Sequence, residues 1–180
     1  MLTLAALAAI ALALLTGGSF KAIERSRLRG LPLALAAFAV KLAAARLCAG
    51  ALPREPWYAV MLTLSYALCF VFVALNREYK WFASLFAAGA ALNFAVIALN
   101  GFYMPVSAAA SSAAGVVEIP QSAAVAYRLA DGGTRLGFLG DVIYIPAPLI
   151  GGFASVGDIL MAAGVFALFQ RIMGASRARR

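Results

Sequence analysis

The amino-acid sequence predicts an all-α membrane protein: a bundle of five transmembrane helices, N-terminus out and C-terminus in, with an extracytoplasmic loop cap. Three observations carry this reading. Hydrophobic residues fill 64% of the 180 positions and charged residues only 12%, against about half and about a quarter in a soluble domain. A bilayer is therefore the expected solvent. Several apolar runs also approach the roughly 20 helical residues needed to cross hydrocarbon. Finally, if five runs are spans, residues 21–29, residues 76–80 and the C-terminal tail fall on one side and hold ten of the fifteen Lys and Arg. Cytoplasmic loops carry such an excess. The expectation is one membrane domain over residues 1–180, multi-pass, in the bacterial cytoplasmic (inner) membrane, with the lipid bilayer as its first partner.

The elements follow in order. Residues 1–18 are an apolar run followed by the basic KAIERSRLRG. A cleaved leader carries its positive charge before the apolar segment, so this run is read as a first, short helix. Residues 31–52 follow Gly30, with Pro32 in a permitted first-turn position, and end at the PREP turn of residues 53–56. The third helix, 57–75, starts at the interfacial Trp57 and Tyr58 and stops at NREYK, forming a hairpin with the second. The fourth, 81–100, opens on Trp81 as an interfacial anchor and closes at Asn100 and Gly101, a helix stop signal. The fifth, 155–173, precedes a basic tail.

Residues 101–154 are too rich in Gly, Pro, Ser and charge for another span and form the outer cap. Within it, QSAAVAYRLA (121–130) reads as a short surface helix and DGG (131–133) as a turn. VIYIPAPLI (142–150) alternates too poorly for a strand, and Pro146 and Pro148 favour an extended or re-entrant path. Loops this long are functional or disordered.

Composition removes several function classes. The net charge of +8 could suit nucleic acid, but basic residues in a membrane protein report orientation, and no basic stripe is interleaved with aromatics as such a surface needs. The absence of His leaves out the commonest catalytic base and transition-metal ligand. Cys48 and Cys69 lie in separate runs without CxxC spacing and read as small buried hydrophobes. No metal and no cofactor are expected.

Six residues remain as site candidates. Lys41, about 15 Å from either end of its helix by helical rise, is an intramembrane cation, facing either the bundle interior or snorkelling outward. Arg46 lies nearer the outer end, where snorkelling is easy, although its planar fork suits a carboxylate or phosphate. Asn93 reads as an interhelical hydrogen-bond former. Asp158 falls in the first turn of the last helix, where its charge complements the dipole and Ser155 can cap. Asp141, between Gly140 and VIYIP, has no such local explanation. Either it pairs with Arg135 or Arg46 and pins the loop, or it meets Asp158 at the outer face, where two close carboxyls would share a proton as acid–base catalysis requires.

GDVI around Asp141 and FASVGDILMAAGVFAL around Asp158 resemble the two catalytic stretches of lipoprotein signal peptidase, an intramembrane aspartic endopeptidase. That resemblance implies a dyad in which one Asp activates water and the other protonates the leaving group. This chain departs from it in three ways. TRLGFLGD stands where the family has an upstream Asn and an Asp-Arg element, FASVGD lacks the Asn of the last motif, and five helices replace four. In overall layout the chain resembles a family of small bacterial membrane proteins of unknown function, through MPVS (Met104 to Ser107), LGDVIxxP (Leu139 to Pro146) and SVGD (Ser155 to Asp158). This resemblance implies that the three motifs belong together. The leading expectation is a non-enzymatic binding or accessory protein whose outer-face site engages a lipid-like or small polar ligand or a partner membrane subunit, through Asp141, Asp158, Ser155 and Arg46. The alternatives are an aspartic hydrolase using Asp141 and Asp158, and a small transporter using Lys41.

Overall fold

The computed structural model describes residues 2–26, 28–121, 123–146 and 152–174. Arg27, Pro148 and the tail arginines Arg177, Arg179 and Arg180, all used above, lie outside the described residues. The helices are α1 (Leu2–Leu15), α2 (Lys21–Glu24), α3 (Leu31–Leu47), α4 (Arg54–Leu75), α5 (Lys80–Leu99), α6 (Ala108–Ala113) and α7 (Val156–Gly174). The strands are β1 (Met104–Val106), β2 (Tyr127–Leu129), β3 (Asp141–Ile145) and β4 (Gly152–Ser155), with a 3-10 turn at Gly137–Leu139.

Helices dominate, and α4, α5 and α7 are each long and apolar enough to cross a membrane. At 14 and 17 residues, α1 and α3 fall short of the roughly 20 that span hydrocarbon. Length and composition therefore support three spans among the described residues, fewer than the five expected. Helix ends follow the local chemistry. Gly30, at φ +67, turns the chain into α3, with Pro32 in the first turn. Asn76 ends α4: its side chain donates to the Arg29 and Phe72 carbonyls and accepts from the Arg29 amide. Asn100 does the same for α5, exchanging hydrogen bonds with the backbone of Arg135 at 2.8 and 2.9 Å.

The extensive helix interfaces are α5 with α7, α3 with α4, and α1 with α7. At one end of the bundle Tyr58, Leu62, Tyr66, Ala90, Val96 and Met161 form a core that reaches Met104 of β1. Phe72, Val73, Phe82, Leu168 and Ile172 fill the other end. The α5–α7 crossing is close because two glycines face each other. A Cβ on Gly157 would overlap Asn93 Oδ1 and the Gly89 carbonyl, and one on Gly89 would overlap the Gly157 carbonyl. Membrane helices approach most closely over such small residues.

The all-α expectation is corrected by the loop cap, which contains a four-stranded sheet of order β2-β1-β3-β4. Strand β1 is parallel to both β2 and β3, and β4 is antiparallel to β3. Tyr127–Leu129 lies in the stretch expected to form a surface helix, and Asp141–Ile145 in the stretch judged too irregular for a strand. The physical reason is non-local. Met104 and Val106 are buried, the latter completely, and their backbone groups are satisfied by partners distant in sequence, as in Met104 N–H to the Ala126 carbonyl and Ala130 N–H to the Val106 carbonyl, both 2.8 Å.

Candidate functional site at the sheet–helix junction

The three motifs meet where β1, β3 and β4 run into α7. Val106 of MPVS pairs with Asp141, which in turn pairs with Ser155 across a bulge in the β3–β4 ladder. The Ser107 amide donates to the Asp141 carbonyl at 3.0 Å, and the Ser107 hydroxyl caps α6 by accepting from the Ala110 amide.

At the start of α7, Ser155 and Asp158 cap the helix reciprocally. The Asp158 amide donates to Ser155 Oγ at 2.9 Å, and the Ser155 amide donates to Asp158 Oδ2 at 3.0 Å. Such a box satisfies amides that the first helical turn leaves without partners. Asn93 of α5 closes the group into a ring, its Nδ2 donating to Asp158 Oδ1 at 2.9 Å and its Oδ1 accepting from the Ser155 hydroxyl at 2.7 Å. Asn93 and Ser155 are buried. The interhelical role expected of Asn93 thus has a specific partner in the last helix.

Asp141 is different. It is 3% exposed, yet its Oδ1 finds no hydrogen-bond partner among the described residues. An unmet buried acceptor costs about 1–3 kcal/mol. Burial pushes its carboxyl up to about 7, the nearby charge of Asp158 pushes the same way, and the charge of Lys41 opposes both. The expected pairing with Arg46 or Arg135 is not found: the one ion pair among the described residues joins Arg54 to Glu55. Arg135 is instead held through its backbone. Lys41 and Arg46 are both exposed on α3. The Tyr127 phenol is pushed up to about 12, first by desolvation and then by the charge of Asp141. Among the described residues, no three His, Cys, Asp or Glu gather in a way that would hold a metal.

A family model matches residues 25–170. The chain belongs to the DUF5317 family, a family of unknown function. The matched span contains MPVS, LGDVIxxP and SVGD, in keeping with the expected kinship to a family without an assigned activity. No curated protein and no solved structure matches the chain, so the likeness to lipoprotein signal peptidase rests on the two aspartate stretches alone.

One anchoring group escaped the sequence reading. Arg54 counted there only toward topology, but its Nε donates to the Val125 carbonyl and its Nη2 to those of Gly101 and Phe102, at 2.9–3.1 Å. It also lies 3.4 Å from the centroid of the Tyr103 ring. One side chain thus ties the start of α4 to the cap. Its position between two prolines in PREP was the available signal, since a charge held in a rigid turn is positioned for a fixed partner. A cavity of about 410 Å³ between α6 and Leu129 is lined by none of the six candidates.

Proposed function

We propose that this DUF5317 protein is a single-domain, five-span protein of the bacterial cytoplasmic membrane, with the sheet outside and the C-terminus inside. In this reading it is a binding or accessory protein that engages a lipid-like or small polar ligand, or a partner membrane subunit, at Asp141. Three spans are supported directly by length and apolarity. The case for α1 as a fourth is its packing along α7, with Gln170 Nε2 donating to the Ala9 carbonyl at 2.9 Å. α3 qualifies as the fifth because its 17 residues reach the lower limit for a span, about 17. Val117 is 85% exposed in the cap. A Val117→Cys variant lacking the two native cysteines is expected to react with an impermeant maleimide added to intact cells. Reaction only after permeabilisation overturns the topology.

The single observation carrying the binding reading is the buried, unpartnered Oδ1 of Asp141. A donor brought by a ligand or partner would remove that penalty. In this proposal Asp158, Ser155 and Asn93 hold the junction, because their polar atoms already serve one another. Lys41 and Arg46, both exposed on α3, are left to meet the outer part of a lipid-like ligand. The expected result is a near-stoichiometric molecule co-purifying with the wild type and reduced about tenfold in Asp141→Asn, as loss of one charged hydrogen bond implies, read by native mass spectrometry. A wild type that extracts free of any ligand or partner sinks the reading.

A second reading, aspartic hydrolysis, is favoured by one feature: burial, and then the charge of Asp158, raise Asp141, and a carboxyl that keeps its proton near neutral pH can serve as the acid of an acid–base pair. Under it, Asp141→Asn and Asp158→Asn each abolish cleavage of a lipopeptide while folding persists. Retained cleavage by either variant excludes it.

A further inference from the structure

We propose that a cavity of about 270 Å³ beside Arg128 binds a zwitterionic, phosphate-bearing headgroup, with Arg128 taking the phosphate and Asp131 the ammonium. The site is separate from the Asp141 junction. The Tyr103 ring has Arg54 at 3.4 Å and Arg128 at 4.1 Å from its centroid. Two guanidinium groups so close to one centroid cannot share a face, so the phenol is sandwiched between them.

The two arginines are not equivalent. Arg54 directs its donors to three backbone carbonyls and to Glu55. The Arg128 side chain makes no hydrogen bond or ion pair among the described residues, although it lines the cavity; only its backbone is engaged, in the β1–β2 ladder. An arginine held over an aromatic face has its planar fork restrained, which suits bidentate capture of phosphate. Like charge on the opposite face of the ring adds to the demand for an anion.

Asp131 lines the same cavity. Its Oδ1 accepts from the Gly133 amide at 2.9 Å and from the Thr134 hydroxyl at 3.1 Å, which fixes the carboxylate and leaves Oδ2 without a partner among the described residues. The cavity is also bordered by Leu99, Asn100 and Gly101 at the end of α5. It therefore sits where a spanning α5 leaves hydrocarbon, at the level of lipid headgroups. A fixed cationic fork and a fixed carboxylate at that level match a phosphoethanolamine group better than a simple anion, which Asp131 would repel.

The test uses the full chain in dodecyl maltoside, with binding read by thermophoresis. The probes are dihexanoyl-phosphatidylethanolamine, dihexanoyl-phosphatidylglycerol and water-soluble glycerophosphoethanolamine. The wild type is expected to prefer the ethanolamine lipid over the glycerol lipid. Arg128→Gln should weaken both about tenfold, and Asp131→Asn, which keeps the turn acceptor, should erase the preference. If glycerophosphoethanolamine binds as tightly as the acylated probe, the natural source is a soluble metabolite; if only acylated probes bind, it is a lipid. If Arg128→Gln does not fold, Arg128→Lys, which retains charge without the fork, should show an intermediate loss. No binding by any probe, no wild-type preference, Arg128 variants within about twofold of wild type, or a preference that survives Asp131→Asn would each overturn the proposal.

Discussion

Gly157→Ala is expected to destabilise the protein by about 3 kcal/mol, the upper end of ordinary overpacking costs, and to lower the melting temperature by roughly 6–12 °C at this chain length. The added methyl group would meet Asn93 Oδ1, Asn93 Cγ and the Gly89 carbonyl. Two of those belong to the side chain that joins Asp158 to Ser155, so the strain cannot be relieved by rotating a free terminus. Either α5 and α7 separate or the polar ring opens, and an opened ring leaves buried polar groups without partners. Gly50→Ala is the control, because a Cβ there has open space. Detergent-solubilised melts followed by circular dichroism provide the measurement. A Gly157→Ala melt within about 2 °C of wild type would refute the claim that this crossing holds the junction.

The second large effect is on pH. Burial pushes the Asp141 carboxyl from its ordinary value of 3.8 up to about 7 in the folded chain. The folded chain therefore keeps a proton that the unfolded chain has already released, and the unfolded state gains relative to the folded one as pH rises between those values. Stability from this group is complete below about pH 4, falls through the interval and levels off above about pH 7. The full difference is on the order of 4 kcal/mol at 1.36 kcal/mol per unit. Asp141→Asn, which cannot ionise, should lose this component and be more stable than wild type at pH 8 while close to it at pH 4. Paired melts at pH 4, 6 and 8 test this. Parallel curves for the two proteins would show that the Asp141 carboxyl is not the group responsible. A ligand that donates to Asp141, as proposed above, would reduce the wild-type loss at high pH.

Much of the helical framework was legible in the chain. α3, α4, α5 and α7 lie within a few residues of their expected bounds, except that α3 ends at Leu47 instead of Leu52. Apolar runs, a first-turn proline at Pro32 and stop signals at Asn76 and Asn100 act within a turn or two, so they are written where they operate. Helix capping at Ser155 and Asp158 is equally local and was expected for the same reason.

The cap was not legible, because its order comes from distant partners. Pro105 argues against a central strand, and VIYIP does not alternate. Yet β1 lies between β2 and β3, its pairing depending on Tyr127–Leu129 and Asp141 arriving from further along the chain. Likewise Arg54 and Arg128 read only as charges until Tyr103 was placed between them. The sequence by itself determined an apolar, mostly helical chain with polar motifs clustered around its last helix, because hydrophobicity and capping are properties of neighbouring residues. Only the tertiary structure decided that Asp158 is held by Asn93 and Ser155 while Asp141 is buried with an oxygen unmet, because burial and hydrogen-bond satisfaction depend on which distant segments meet.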